Sequence, residues 1–237
     1  MLNGIDISNW QKNIIPSNLK IDFCICKATE GTYFVDRFCD AFIQNCKSAN
    51  LLYGFYHFAG TDAPANEAKF FYENCKGYVG EGIPVLDYEV WGDNANDVEW
   101  CEQFMTEFHH LSGVWPVLYI SASHCKDFHA SAWIPQTCGL WIAGYPANYS
   151  QWPTLDDMPY DIAPWDFAAL WQFASDWRLA GYNGDIDGDV AFMDRNAWAK
   201  YAGAKVGKHE ETAEKPAKKK VSISLDGKKY SGYVSEK

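Results

Sequence analysis

No run in this 237-residue chain approaches the roughly 18 uninterrupted apolar residues that a helix needs to cross a bilayer. The opening residues, Met-Leu-Asn-Gly-Ile-Asp, lack the basic and apolar regions of an export signal. A soluble protein made in the cytoplasm, without membrane insertion, is the expectation. The eight cysteines, at 24, 26, 39, 46, 75, 101, 125 and 138, include no Cys-X-X-Cys pair, which removes the paired spacing of zinc sites. A chain this long needs no disulfide staples, so they read as reduced thiols. Cys24 and Cys26 alternate in an apolar run, and Cys39 and Cys46 stand seven apart on a helical pattern, so buried packing accounts for them. Also missing are a Gly-X-Ser-X-Gly elbow, a His-Glu-X-X-His pair, a Walker lysine loop and the Gly-X-Gly-X-X-Gly fingerprint. Positive charge is scarce: residues 1–204 hold 11 Lys and Arg against 26 Asp and Glu. Such an acidic body disfavours nucleic acid as a partner. Residues 205–237, with nine Lys and five acidic residues, are electrostatically a separate object.

What is present is apolar and aromatic. Hydrophobic residues make up 48% and aromatic residues 16% of the chain, enough for one domain with a small appendage. Strand-length apolar runs alternate with helical periodicity, which predicts an α/β domain with a largely parallel sheet. The candidate strands are Gly4–Ile7, Asp22–Lys27, Leu52–Phe58, Ile83–Glu89, Pro116–Ile120, Leu140–Ala143, Leu170–Phe173 and Asp185–Asp187. Eight strands suggest a barrel. Helices are expected over Asp36–Ala49, Ala65–Cys75 and Asp97–Leu111. Pro135, Pro146, Pro153, Pro159 and Pro164 then break any long helix, so the second half should be irregular, with fewer than eight full βα units. The body is expected to span 1–203, followed by a charged linker over 204–220 and a small β-hairpin within 221–237, turned at Asp226-Gly227.

The densest chemical signal is Ile83-Pro-Val-Leu-Asp-Tyr-Glu-Val-Trp91. Strand alternation sends Asp87 and Glu89 to one face about 7 Å apart, and Leu86, Tyr88 and Val90 to the other. Neighbouring carboxylates raise the pKa of one member, and glycoside hydrolysis needs that asymmetry: one protonated acid and one carboxylate that stabilises, activates or attacks. A strand with one wet face explains this tripeptide equally simply. Asp6 and Asp187 shift the balance, because each lies within or just beyond a short apolar strand and parallel strands bring such ends to one rim.

Tyr56, Trp91, Tyr119, Trp141, Tyr145 and Trp171 lie at or near strand ends, where aromatic faces can pack on the C–H side of a sugar ring. Each singly reads as core; together they favour an aromatic-walled groove. His57, in Tyr-His-Phe at a strand end, reads first as a structural histidine, and no local signature supports a cysteine–histidine pair. Asn183–Asp194 nearly meets the twelve-residue calcium-loop pattern, but starts on Asn, ends on Asp and follows a strand instead of a helix.

These residues resemble a known family, the family 25 glycoside hydrolases or Chalaropsis-type lysozymes. The resemblance runs from Gly4 to about Gly203 through blocks in family order: Gly-Ile-Asp-Ile-Ser-Asn-Trp-Gln (4–11), Lys-Ala-Thr-Glu-Gly-Thr-Tyr-Phe-Val-Asp (27–36) and Leu-Tyr-Gly-Phe-Tyr-His-Phe-Ala (52–59) with Glu67-Ala68. Pro-Val-Leu-Asp-Tyr-Glu (84–89), Leu-Trp-Ile-Ala-Gly-Tyr (140–145), Leu-Trp-Gln-Phe (170–173) and Asp-Ile-Asp-Gly-Asp-Val (185–190) follow. The resemblance implies an irregular TIM-like (β/α) barrel that hydrolyses the β-1,4 bond between N-acetylmuramic acid and N-acetylglucosamine in peptidoglycan, with no metal or organic cofactor. Glu89 would be the general acid, Asp87 would assist it, Asp6 would line the pocket and Asp187 would hold substrate or intermediate. Lys27, Tyr56, Tyr119 and Trp141 would contact substrate. Retention through the substrate's acetamido group and direct attack by water both stay open.

Two features depart from the usual pattern. Many relatives carry C-terminal wall-binding repeats, whereas here a Lys-rich tail either binds anionic wall polymers or is simply solvated. Eight cysteines suit synthesis in a reducing cytoplasm and release by lysis, as for a phage or prophage endolysin acting as a monomer. The readings kept beside the muramidase are a catalytically silent or calcium-dependent wall-binding protein, and a glycosidase for another substrate such as chitin oligomers.

Overall fold

A computed structural model describes residues 1–92 and 94–204, together with the backbone of 219–225 and 228–234. The strands of the body are β1 (Leu2–Ile7), β2 (Phe23–Glu30), β3 (Phe34–Val35), β4 (Leu52–Phe58), β5 (Ile83–Asp87), β6 (Val117–Ser121), β7 (Leu140–Ala143), β8 (Leu170–Trp177) and β9 (Ile186–Ala191). All but β3 close into an eight-stranded barrel, paired β1-β2-β4-β5-β6-β7-β8-β9 and back to β1. The two-residue β3 folds back on the end of β2. Every candidate strand of the sequence lies in this barrel. The last one differs in direction: β9 is antiparallel to both β8 and β1. Its connection from β8 spans only residues 178–185, and a parallel return needs a longer crossover.

Alternation sorts each strand into two layers. Phe23 and Ile25, Ile83 and Val85, and Val117 and Tyr119 face into the barrel, while Cys24 and Cys26, Leu86, and Leu118 and Ile120 face the helices. The helices α1 (Cys39–Ser48), α2 (Pro64–Cys75) and α3 (Asn94–Ser112) cover the first half. α1 buries Cys39, Phe42, Ile43 and Cys46; α3 buries Val98, Cys101, Phe104, Met105 and Phe108, the three-to-four spacing of one apolar stripe. Phe71 of α2 stacks on Phe108, with ring centroids 4.9 Å apart. All eight cysteines are free and buried, as packing residues should be.

The second half is irregular. Between β6 and β8 the only helical pieces among the described residues are 3-10 turns at Ala122–Ala130 and Leu155–Asp157 and the single turn α4 (Ile134–Thr137). After β9, Asp194 caps α5 (Arg195–Tyr201) by accepting the amide of Ala197 at 2.8 Å. This short helix plugs the barrel floor: fully buried Trp198 meets Phe23 with ring centroids 4.8 Å apart. Gly4 makes room, since a Cβ there would stand 2.4 Å from the Phe23 ring.

The chain divides into two compact units, Met1–Lys205 and Val206–Lys237. In the second, β10 (Lys219–Leu225) and β11 (Lys228–Val234) pair antiparallel, Leu225 opposite Lys228. Of the linker expected over 204–220, residues 205–218 lie outside the described residues, as does the Asp226-Gly227 turn. No helix among the described residues is long and apolar enough to cross a membrane.

Candidate active site

The inner barrel face changes character from floor to rim. On β1 it reads Leu2, Gly4, Asp6; on β2, Phe23, Ile25, Lys27; on β5, Ile83, Val85, Asp87. At the carboxyl ends of the parallel strands these polar residues line a cavity of about 330 Å³. Asp6, Asp87, Glu89, Asp187, Lys27, Tyr56, Tyr119 and Trp141 all border it. Sequence alone put Asp187 at the end of a parallel strand. It stands instead near the start of antiparallel β9, directly opposite Asp6, so reversal of the strand still delivers its carboxyl to the same rim.

A bulge sets Lys27 into the site. Register slips between Lys27 and Thr29, so Lys27 pairs with inward Tyr56 while Thr29 pairs with outward His57. Lys27 Nζ lies 2.6 Å from Glu30 Oε2 and 4.6 Å from the Phe58 ring centre. Its charge faces the Asp87–Glu89 pair and draws both pKa values down.

Burial dominates the carboxyl electrostatics. It raises Asp87 well above the usual carboxylate range, helped by the charges of Glu89 and Asp6. It raises Glu89 too, against a hydrogen bond from Asp87 and the Lys27 charge. Both shifts favour a proton on the pair, of which Glu89 is the member that borders both cavities. Burial, opposed chiefly by hydrogen bonds from Gln172 and Asp189, leaves Asp6 at about 6. Burial and the charges of Asp6 and Glu89 lift Asp187 to about 8. The Tyr56 phenol, buried beside Asp6, Asp87 and Asp187, is held in its neutral form.

Sequence reasoning gave no role to Gln172 or Asp189. Gln172 Nε2 donates to Asp6 Oδ2 at 2.6 Å, and its Oε1 accepts the hydroxyls of Tyr119 at 2.8 Å and Tyr145 at 2.6 Å. One amide thus orients a carboxylate and two aromatic walls. Asp189, with no exposed surface, accepts Trp141 Nε1 at 3.0 Å; burial and its acidic neighbours raise it far above the carboxylate range. The available signal was a polar residue at an inward strand position, Gln172 two after Leu170 and Asp189 two after Asp187.

Trp171 does not wall the groove: on β8 it alternates with Leu170 and Gln172, packs outward, and donates Nε1 to the Gly144 carbonyl at 2.9 Å. Trp10 at the rim, 85% exposed, is an aromatic wall the sequence reading left out. Trp91 borders an adjoining cavity. His57 is structural: Nδ1 is 2.8 Å from Thr29 Oγ1 and Nε2 is 2.9 Å from Glu67 Oε2, in full burial. The calcium-loop pattern does not form a loop. Six of its twelve residues, Ile186–Ala191, are extended in β9 and paired to β1 and β8, with Asp187 and Asp189 turned inward.

The Asp187 shift makes a stability prediction. A carboxyl at about 8 in the fold and near 3.8 unfolded is harmless below pH 4; its burial cost grows as pH rises from about 4 and levels off once pH passes 8. Asp187→Asn should therefore be more stable than wild type by about 2 kcal/mol at pH 8.5, a value discounted for partial exposure, with the difference vanishing near pH 4. Urea titrations at the two pH values check it; an equal difference at both would show that Asp187 ionises without cost.

The profile described as glycosyl hydrolases family 25 matches residues 5–182. Lysozyme M1 of Streptomyces globisporus is 28% identical over 206 residues, covering 78% of this chain and 66% of that protein. The N,O-diacetylmuramidase of Chalaropsis sp is 27% identical over 214 residues, covering 80% of this chain and 95% of its own length. Among solved structures, the muramidase from Acremonium alcalophilum superposes with a TM-score of 0.69 at 25% identity, over 85% of this chain and 99% of that one.

Proposed function

Because this chain belongs to the family 25 glycosyl hydrolases, we propose that its rim cavity cleaves the β-1,4 bond on the N-acetylmuramic acid side of peptidoglycan strands, with Glu89 as general acid. The protein is a glycoside hydrolase of the lysozyme class. The observation that carries the residue assignment is the placement of Asp87 and Glu89 together on the wall of a cavity lined by further carboxyls, where burial favours a proton on the pair. Glu89 gives that proton to the bridging oxygen, and Asp87 holds it until then. Asp6, fixed by Gln172, and Asp187, protonated below about 8, lie where charge builds at the anomeric carbon and where a sugar substituent accepts a hydrogen bond. Tyr56, Tyr119 and Trp141 supply the flat walls, and Lys27 the positive charge.

We propose a monomer as the active species, since the barrel by itself brings the carboxyls, Lys27 and the aromatic walls to one cavity. Eight buried free thiols support synthesis in a reducing compartment and action on the wall after release, as for an endolysin.

The test uses purified peptidoglycan incubated with the protein, with and without chelator, and mass spectrometry of the new reducing ends. Muramic acid at those ends, formed equally with chelator, is the expected result. N-acetylglucosamine at the new ends would reassign the bond cut, and wall binding without new ends would leave a recognition protein.

A further inference from the structure

A second cavity, of about 300 Å³, adjoins the first and shares Glu89, Tyr119 and Tyr145 with it. Trp91, Ser121, His124, Ala143 and Gly144 complete its wall. The two spaces differ in chemistry. Asp6, Asp87 and Asp187 border only the first, whereas the second meets the carboxyl system through Glu89 alone. An acid that protonates a bridging oxygen has to stand between the two sugars it separates. The carboxyls that act at the anomeric carbon belong on the side of the sugar that is attacked.

From this geometry we infer that the second cavity receives the leaving sugar, and that His124, laid flat on Trp91, is its specificity-determining contact. The inference rests on the muramidase reading above. The pair is held by its own neighbours. The rings are 3.9 Å apart and 1° from parallel. Trp91 is itself wedged edge-on by Tyr88 and Phe128, with centroids 4.9 and 6.2 Å away. His124 Nδ1 lies 2.9 Å from Asp127 Oδ2, a carboxyl with 8% exposure, which orients the ring and turns Nε2 away from that bond. A flat imidazole lining one cavity with the hydroxyl-bearing Tyr119, Tyr145 and Ser121 suits an uncharged sugar such as N-acetylglucosamine. Its C–H face needs apolar surface and its hydroxyls need both donors and acceptors. Because the platform is locked, little ordering cost is left to set against binding.

The test is a competition between two substrates in one reaction: the peptidoglycan tetrasaccharide, which places a sugar in the second cavity, and the β-fluoride of the N-acetylglucosaminyl-N-acetylmuramic disaccharide, whose leaving atom does not fill it. The ratio of their kcat/KM values is independent of how much enzyme is folded. His124→Ala should lower the tetrasaccharide-to-fluoride ratio about tenfold. Ser121→Tyr, which intrudes on the cavity from an exposed position, should lower it similarly and serves if His124→Ala does not fold. A change of less than threefold in the folded variants overturns the leaving-sugar assignment. If wild type cleaves neither substrate, the muramidase reading itself fails.

Discussion

Glu89→Gln should lower kcat on peptidoglycan strands by about 10³-fold while leaving the fold and wall binding in place. Gln keeps the size and hydrogen-bonding reach of the side chain but cannot deliver a proton. In barrier terms that loss is about 4 kcal/mol. Asp87 cannot take over directly. It is buried at the end of β5 with 7% exposure, while Glu89, two residues on, is the carboxyl on both cavity walls. Reducing-end release by wild type and variant, with strand binding measured on the same preparations, checks the prediction. Should the variant keep a tenth or more of wild-type activity, the acid is another group, and protonated Asp187 becomes the first candidate.

The largest effect on stability is expected away from the cavity, at Glu67. This residue of α2 has no exposed surface, yet its carboxylate accepts three N–H donors: His57 Nε2 at 2.9 Å, the Gly60 amide at 2.7 Å and the Asp62 amide at 2.9 Å. With Nε2 donating, His57 Nδ1 accepts from the Thr29 hydroxyl, which fits a ring whose pKa burial has lowered. The chain Thr29–His57–Glu67 ties β2, β4 and the loop before α2 together under stacked Phe71 and Phe104. Glu67→Ala strands the buried His57 donor and the part-buried amides of Gly60 and Asp62 and opens a void, so a loss of about 3–5 kcal/mol is expected. Glu67→Gln keeps the acceptor oxygen and should lose about half as much. The urea midpoints of the two variants measure this. A Glu67→Ala protein within 1 kcal/mol of wild type would mean that water satisfies the stranded donors.

Strand positions were readable because barrel strands are buried on both faces and so appear as short apolar runs broken by turns. The helices α1 to α3 were readable from their three-to-four spacing, and the proline-rich stretch announced the irregular half. The phase of each strand was harder. Trp171 and Gln172 are neighbours in a run where either could face inward, and the barrel turns the tryptophan out and the amide in because Leu170 packs on the floor. The direction of β9 was in principle legible, since no helix fits between Trp177 and Ile186.

The sequence by itself determined the eight strands, the first three helices, the alternation that separates Asp87 from Leu86 and Tyr88, and through seven ordered blocks the family. Tertiary structure alone decided which carboxyls meet. Asp6 and Asp189, 183 residues apart, come together only because β9 turns back beside β1 and closes the barrel. Closure also decides their charge. Electrostatic coupling and desolvation depend on distances and burial between remote strands, and local pattern carries neither.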